Sequence, residues 1–427
     1  MKAIGIDIGT TSICGVVMDT DSGALIRSVT ENSEAFLGGC APWERIQSVD
    51  KIMSVAMGVL DALVDEDTAV IGVTGQMHGI VYVNADGEAV SPLYTWQDGR
   101  GNLPYGDTTY AGFLGCASGY GHVTDFYNRE NGLRPAEAVS FCTVHDYFVM
   151  RLCGLMKPII HASDAASFGL YDLESNRFNC DFSPEIAADY RVAGKYRGIP
   201  VSVAIGDNQA SVFSTLADEN ALLLNVGTGS QVSLVSDFPI TAENVETRPY
   251  FDGKYLIVGA ALCGGRAYSL LKDFYASLLR EVTDVDDGAV YSVMSKLAER
   301  DGASTLCVDT HFAGTRSNPA LRGSITGIGT DNFDPASLTR GVLEGMANEL
   351  YTMYSAMGAK RSGIVGSGNG VRKNPALVQA LEQKFGGKMV FPAHLEEAAV
   401  GAALFGLVAC GGVKNAKEAQ SLIKYIK

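Results

Sequence analysis

The 427-residue chain is short of positive charge: 33 Lys and Arg stand against 48 Asp and Glu, a formal net charge of −15 at pH 7. Its basic residues form no tract, so it is a poor generic binder of polyanions, and no nucleic-acid partner is expected. Paired cysteines are missing as well. Nine cysteines lie scattered at 14, 40, 116, 142, 153, 180, 263, 307 and 410, an odd number without a CxxC. That pattern points to reduced thiols and a cytoplasmic setting. The six histidines keep no metal-ligand spacing. The absence of GxxxxGK[ST] excludes a P-loop, and the absence of HRD and DFG excludes the protein-kinase arrangement. The apolar runs Gly79–Val83 and Ala398–Cys410 are too short to cross a bilayer, so no membrane partner is expected. The second reads as a buried helix. No positively charged leader precedes the first apolar strand, and no secretory signal is expected.

Apolar residues and glycine are plentiful. With 47% hydrophobic and 19% charged residues, the chain can bury a large core. Its length implies two domains. Three phrases punctuate it: IGIDIGTTS ending at Ser12, ALLLNVGTGSQ at Ala221–Gln231, and SGIVGSGNG at Ser362–Gly370. Each is an apolar run that suits a buried strand and ends in glycines mixed with small polar residues. Such a turn lets backbone N–H groups and hydroxyls face an anion. Their recurrence in both halves implies two related lobes, 1–217 and 218–427, around one nucleotide cleft.

The pattern predicts strands over Ala3–Ile8, Ile13–Met18 and Leu25–Thr30, a helix over Ser48–Leu63, and a strand over Ala69–Thr74. Residues 100–135 read as loops and short helices. A helix follows at Thr143–Leu152, then a strand at Val201–Ile205 and a helix from Ala210. The pattern restarts with strands at Ala221–Val226, Val232–Val235 and Tyr255–Ala260. Helices are expected at Arg266–Arg280, Ser337–Met357, Pro375–Phe385 and Glu396–Val408.

Asp7 ends the first strand beside a phosphate-type turn, where a carboxylate needs a cation or donors. It reads as a Mg²⁺-positioning group or as a strand-end cap, with Gly9, Thr10, Thr11 and Ser12 facing phosphate. Asp207, in GDNQA, reads either as the base that takes a proton from an attacking hydroxyl or as a helix N-cap. TGQMHG offers Gln76 and His78 to substrate hydroxyls and Met77 as an apolar contact. WQDGR adds the aromatic face of Trp96, the carboxylate of Asp98 and the guanidinium of Arg100. Together they suit a polyol.

With IGIDIGTTS, TGQMHG, WQDGR, GDNQA, NVGTGS and GSGNG in this order, the chain resembles the FGGY carbohydrate kinases of the sugar kinase, hsp70 and actin-like superfamily. The resemblance covers nearly the whole chain. It implies an α/β fold of two ribonuclease-H-like, actin-like ATPase domains flanking a central cleft, the N-terminal one sugar-binding and the C-terminal one nucleotide-binding. It also implies ATP and Mg²⁺, with Asp207 as base and Asp7 and Asp207 near the metal. Gln76, Met77, His78, Trp96, Asp98, Asp207 and Asn208 would surround the sugar, and Arg100 would brace Asp98. Gly227, Thr228, Gly229, Gly264 and Gly265 would face nucleotide phosphates, and Gly368, Asn369 and Asn374 the adenosine. TGQMHG, WQDGR, ASGYG and HASDAASFGLYDLE look most like the sedoheptulokinase branch, and xylulokinase-like members share several of them. The implied reaction is phosphorylation of a ketose at a terminal hydroxyl, with sedoheptulose to its 7-phosphate first and xylulose, ribulose or a polyol as alternatives. A non-kinase actin-like interaction protein fits the glycine turns equally but leaves TGQMHG and WQDGR without a use. A sugar sensor without phosphoryl transfer is the third reading, because the chain departs from the family pattern between Tyr120 and Thr143. The expected partners are a small-molecule substrate and, at most, a second copy of the chain.

Overall fold

A computed structural model describes residues 1–38, 41–300, 306–315, 318 and 320–426. Two compact units emerge. Unit 1 comprises Met1–Ala217, Arg248–Gly253 and His394–Lys424, and unit 2 comprises Asp218–Thr247, Lys254–Ala393 and Tyr425–Lys427.

Unit 1 is built on β1 (Lys2–Ile8), β2 (Ser12–Asp19), β3 (Leu25–Asn32), β4 (Thr68–Gly75), β5 (Val192–Tyr196), β6 (Ile199–Ser202) and β7 (Ile205–Gly206). The sheet order is β5-β6-β4-β1-β2-β3, with β7 also on β4. β1, β2 and β3 form an antiparallel meander, and β4 lies parallel to β1. β1 and β2 are nearly continuous apolar runs because both faces of the sheet are covered. Its helices include α1 (Val49–Leu63), α2 (Gly121–Glu130), α3 (Val144–Cys153), α4 (Ala162–Ser167) and α5 (Asp207–Thr215). α1 buries Ile52, Ala56, Val59 and Leu63 at helical spacing, and Ser48 caps it by accepting from Lys51 N–H.

Unit 2 repeats the plan. It contains β8 (Ala221–Val226), β9 (Ser230–Ser236), β10 (Tyr255–Ala261), β11 (Gly363–Ser367) and β12 (Met389–Pro392). Their order is β10-β9-β8-β11-β12, with a β8–β9–β10 meander and β11 parallel to β8. This matches β3-β2-β1-β4-β6. Helices α6 (Gly265–Leu279), α7 (Pro335–Ala356) and α8 (Pro375–Phe385) cover it. The repeated sheet is the two-domain α/β architecture of the actin-like ATPases.

The last long helix, α9 (Glu397–Ala409), lies in unit 1, although a division at residue 217 assigns it to the second half. Its placement follows from side-chain size. A Cβ on Gly5 of β1 would come within 1.8 Å of Ala399 O, and one on Gly72 of β4 within 1.8 Å of Ala402 O. The two glycines let the helix backbone lie directly on the sheet.

The eight described cysteines are unpaired; Cys40 lies outside the described residues. Among the described residues, no helix is long and apolar enough to cross a membrane.

His122 on α2 is only 4% exposed and stands edge-on to Phe141 and Phe178. Burial, helped by the positive charge of Arg134, pushes its pKa down to about 4 from an ordinary 6.5. The unfolded chain therefore binds this proton more readily. Stability from the neutral ring is complete above about pH 6.5 and is lost as pH falls toward about 4, by about 3 kcal/mol in all. Urea midpoints of wild type and His122→Phe at pH 7 and pH 4.5 measure this. The variant should lose clearly less stability on acidification, and parallel losses would assign the acid sensitivity elsewhere.

Candidate active site

Three neighbouring strands bring two carboxylates to one end of the unit 1 sheet. Asp7 on β1 pairs with Thr74 on β4, and Thr74 pairs with Ile205 on β7, two residues before Asp207. The Thr74 hydroxyl donates to Ile205 O at 2.6 Å, which ties β7 to β4. Asp207 is the first residue of α5, and Gly206 is its N-cap with φ −62° and ψ 141°. The helix therefore starts three residues earlier than the sequence pattern implied. Asp207 is not the cap, because the extended Gly206 ends the strand and Asp207 already has helical geometry.

Asp7 and Asp207 are both half-buried. Desolvation, then the charges of Asp207 and Glu396, pushes the Asp7 pKa up to about 7. Asp207 is also raised by burial, while His145, the backbone N–H of Asn208 and Arg248 oppose the shift.

The glycine turn after β1 joins the sugar-side motifs through a ring of hydrogen bonds. Trp96 Nε1 donates to Thr10 Oγ1 at 3.0 Å, and that hydroxyl donates to Gln76 Oε1 at 3.3 Å. Gln76 Nε2 donates to Gln47 Oε1 at 3.0 Å, and Gln47 Nε2 returns to Thr10 O at 2.6 Å. Gln47 belongs to no motif, so sequence reasoning missed it. Gly9 and Ser12 flank Thr10 half-buried, and Thr11 is exposed. Met77 is buried, and its Sδ and Cε lie 2.7 Å from where a Gly206 Cβ would stand.

His78 holds a left-handed φ of 72°, its N–H donates to Ser167 Oγ, and its Nδ1 lies 2.8 Å from Ser167 O. A carbonyl only accepts, so Nδ1 carries the proton. The ring stacks on Tyr120 at 4.6 Å. Trp96 is 47% exposed, which leaves an aromatic face to solvent. Asn208 on α5 is half-buried beside Asp207.

Asp98 and Arg100 are 1% exposed and pair with each other. Asp98 Oδ1 accepts from Arg100 Nε at 2.7 Å, and Oδ2 accepts from Arg45 N–H at 3.0 Å. The guanidinium lies over Tyr94 with its carbon 4.2 Å from the ring centroid. This pair braces the loop from Trp43 to Arg45.

A second group absent from the sequence reading lies deeper. His145, Asp146 and Asp164 are fully buried, with ligand-type atoms within 4.8 Å of one another. His145 Nε2 is 3.0 Å from Asp164 Oδ1. Burial pushes the Asp164 pKa to about 8 despite His161, and Asp207 adds to the rise. Asp146 is raised by burial and by Asp164, and burial lowers His145. HASDAASFG contained Asp164, but its only local signal was the resemblance.

Unit 2 carries a pocket of about 930 Å³ at its own glycine turns. Gly227, Thr228, Gly265, Gly368, Asn369 and Asn374 line it, together with Arg266, Tyr268 and Tyr291. Gly229 and Gly264 do not line it. They make it possible, because a Cβ on Gly264 would meet Gly229 O at 2.3 Å. The two turns are stitched by Gly265 N–H to Gly227 O at 2.9 Å and Arg266 N–H to Thr228 O at 3.0 Å. Asn374 caps α8 by accepting from Leu377 N–H. Asn225 takes on β8 the place that Asp7 has on β1, and it donates to Ser367 Oγ at 2.6 Å. Unit 2 therefore has a neutral amide where unit 1 has a carboxylate.

Two like-built ATPase-type domains, one with paired carboxylates and the other with a glycine-lined pocket, place the chain in the class of actin-like ATPase folds. Residues 2–103 match the model of the FGGY family of carbohydrate kinases, N-terminal domain, and residues 222–410 that of its C-terminal domain. Sedoheptulokinase of Mus musculus is 30% identical, over 94% of this chain and 96% of its own. Glycerol kinase of Agrobacterium fabrum is 26% identical, over 83% of this chain and 78% of its own. In fold, the chain is similar to a ligand-bound xylulose kinase from Lactobacillus acidophilus, with a TM-score of 0.84, 19% identity, and coverage of 100% of this chain and 93% of that one. The chain belongs to the FGGY family of carbohydrate kinases. It is an ATP-dependent carbohydrate kinase that phosphorylates a sugar or polyol.

Proposed function

We propose that the protein transfers the terminal phosphoryl group of ATP to a terminal hydroxyl of an open-chain ketose, with sedoheptulose as the leading substrate. The single observation that carries the reading is the joining of Trp96 and Gln76 to the Thr10 turn beside Asp7, on the strands that also deliver Asp207. The choice of sugar rests on the 30% identity to sedoheptulokinase.

Asp207 orients the attacking hydroxyl and takes its proton as the new O–P bond forms. Gln76, His78 and Asn208 read hydroxyls, and Trp96 covers carbon. Met77 presses on Gly206 and keeps Asp207 aimed. Asp98 and Arg100 shape the loop beneath, since their polar atoms are engaged by each other, by Arg45 N–H and by Asn128. Gly9–Ser12 receives the transferred group, and the glycine turns of unit 2 hold the nucleotide.

Asp7, Asp207 and Glu396 carry hard oxygen donors, and burial followed by the charges of Asp207 and Glu396 raises the Asp7 pKa, an arrangement that fits a divalent cation. Asp7 and Asp207 would hold Mg²⁺, which when bound offsets charge on the phosphate oxygens. Asp7 in its carboxylate form would orient this end of the turn. The unpaired cysteines make a cytoplasmic setting part of the same reading.

ATP-dependent turnover across sedoheptulose, xylulose, ribulose, gluconate, erythritol and glycerol tests it. Sedoheptulose should give the highest kcat/KM. A maximum at glycerol or erythritol would favour the polyol reading, which the glycerol kinase relative supports. Turnover of none of them by folded protein would defeat the kinase reading.

A further inference from the structure

A line of hydrogen bonds in unit 1, buried at its inner end, ends on the residue before Asp207. Gly206 N–H donates to Ser163 Oγ at 2.9 Å. Ser163 Oγ lies 2.8 Å from His161 Nδ1, and the backbone N–H of Ser163 donates to the same nitrogen at 3.1 Å. His161 Nε2 lies 2.8 Å from Asp189 Oδ1. Asp189 Oδ2 in turn accepts the N–H of Asp252 at 2.7 Å. Ser163 and His161 are 0% exposed.

The donors have one consistent direction. Nδ1 accepts a backbone N–H, so it carries no proton, and the ring proton is on Nε2. Nε2–H therefore donates to Asp189. The Ser163 hydroxyl donates to Nδ1, which leaves its oxygen lone pairs for Gly206 N–H. The ring is wedged between Phe251 at 5.5 Å and Phe405 at 5.6 Å, so it cannot swing away.

Ser, His and Asp in this order look like the nucleophile line of a hydrolase. The burial excludes that use, because Ser163 Oγ is closed to any substrate and already engaged by Gly206. What the line does control is the start of α5. Gly206 has no side chain, and α5 has no side-chain cap. Two buried hydroxyls instead hold the backbone just before it: Thr74 donates to Ile205 O, and Ser163 accepts from Gly206 N–H. Met77 Sδ and Cε lie 2.7 Å from where a Gly206 Cβ would stand.

We propose that Ser163, held by His161 and Asp189, is a positioning residue that fixes the Gly206–Asp207 backbone and so aims the catalytic base. This rests on Asp207 being the base.

Two pairs of measurements test it. Ser163→Ala leaves the Gly206 N–H without its acceptor. Amide exchange of the peptide around Gly206 should speed up at least about 10-fold, and kcat for the preferred sugar should fall about 10- to 100-fold with KM for sugar and ATP nearly unchanged. His161→Asn keeps an acceptor where Nδ1 stands and still caps α4, whereas His161→Gln keeps only the link toward Asp189. His161→Asn should retain most of kcat, and His161→Gln should behave like Ser163→Ala. Unchanged exchange in Ser163→Ala would overturn the proposal, and so would equal losses in the two His161 variants. A wild type inactive on every sugar would instead overturn the functional reading, and the exchange arm reads the positioning independently of it.

Discussion

Asp207→Asn lowers kcat for sugar phosphorylation by roughly 10³-fold, the scale of a lost general base. The substitution keeps shape and the helical start of α5, so the loss does not come from misfolding. It removes the only side-chain atoms at that position that can take a proton from the substrate. It also removes one of the charges that raise Asp7. Asp7 should then hold its carboxylate form to lower pH, and sugar affinity measured by calorimetry should change little. Release of ADP at saturating sugar and increasing Mg²⁺ checks the first point. A deficit that persists at saturating Mg²⁺ assigns the loss to proton transfer, and a deficit cured by Mg²⁺ would leave Asp207 only its metal-holding role. Activity within tenfold of wild type would remove Asp207 as base.

Gly401→Ala destabilises unit 1 by at least about 3 kcal/mol, beyond ordinary overpacking because the obstacle is backbone. A Cβ there would lie 1.9 Å from Ala210 O of α5. Gly401 belongs to α9, and α9 also touches β1 through Gly5 and β4 through Gly72. The carbonyl cannot rotate away as a side chain would, so α9 and α5 must separate. In a domain of this size that is a loss of roughly 6–12 °C in Tm. Because α5 begins with Asp207, surviving protein should also lose kcat. Scanning calorimetry and sugar turnover on the same sample check both. A wild-type Tm would show that α9 does not lie as close as described.

Much of the molecule was readable from local pattern. Each sheet opens with an apolar run, a glycine turn and a second apolar run, and these signals need no distant partner. β1, β2, β8 and β9 lie where that pattern puts them. Asp7, Asp207, Gln76 and Trp96 stand out in the sequence because they sit in short polar phrases that follow apolar runs. The glycines were found too, but not their division of labour. Gly227 and Gly265 line the unit 2 pocket, while Gly229 and Gly264 permit the close contact between its two turns.

Other features depend on partners far along the chain. Gln47 meets Gln76 29 residues on, His145 meets Asp164 19 residues on, and Ser163 meets Gly206 43 residues on. None of these pairs has a periodicity to betray it. Asp98 looked like a sugar ligand by type, yet its neighbours Arg100 and Arg45 occupy it.

The chain's own order of apolar runs, glycine turns and short polar phrases determined two like-built sheets, a phosphate-type turn on each and the residue types for phosphoryl transfer to a hydroxyl. Those follow from interactions within a few residues. Tertiary structure alone decided that α9 joins unit 1, that Asp7 and Asp207 share one sheet end, and that the buried Ser163 hydroxyl accepts the N–H of Gly206, the residue before Asp207. An all-apolar helix has no preferred face, so its partner is chosen by where glycines let backbones touch. A carboxylate's pKa and aim are likewise set by groups that only folding brings beside it.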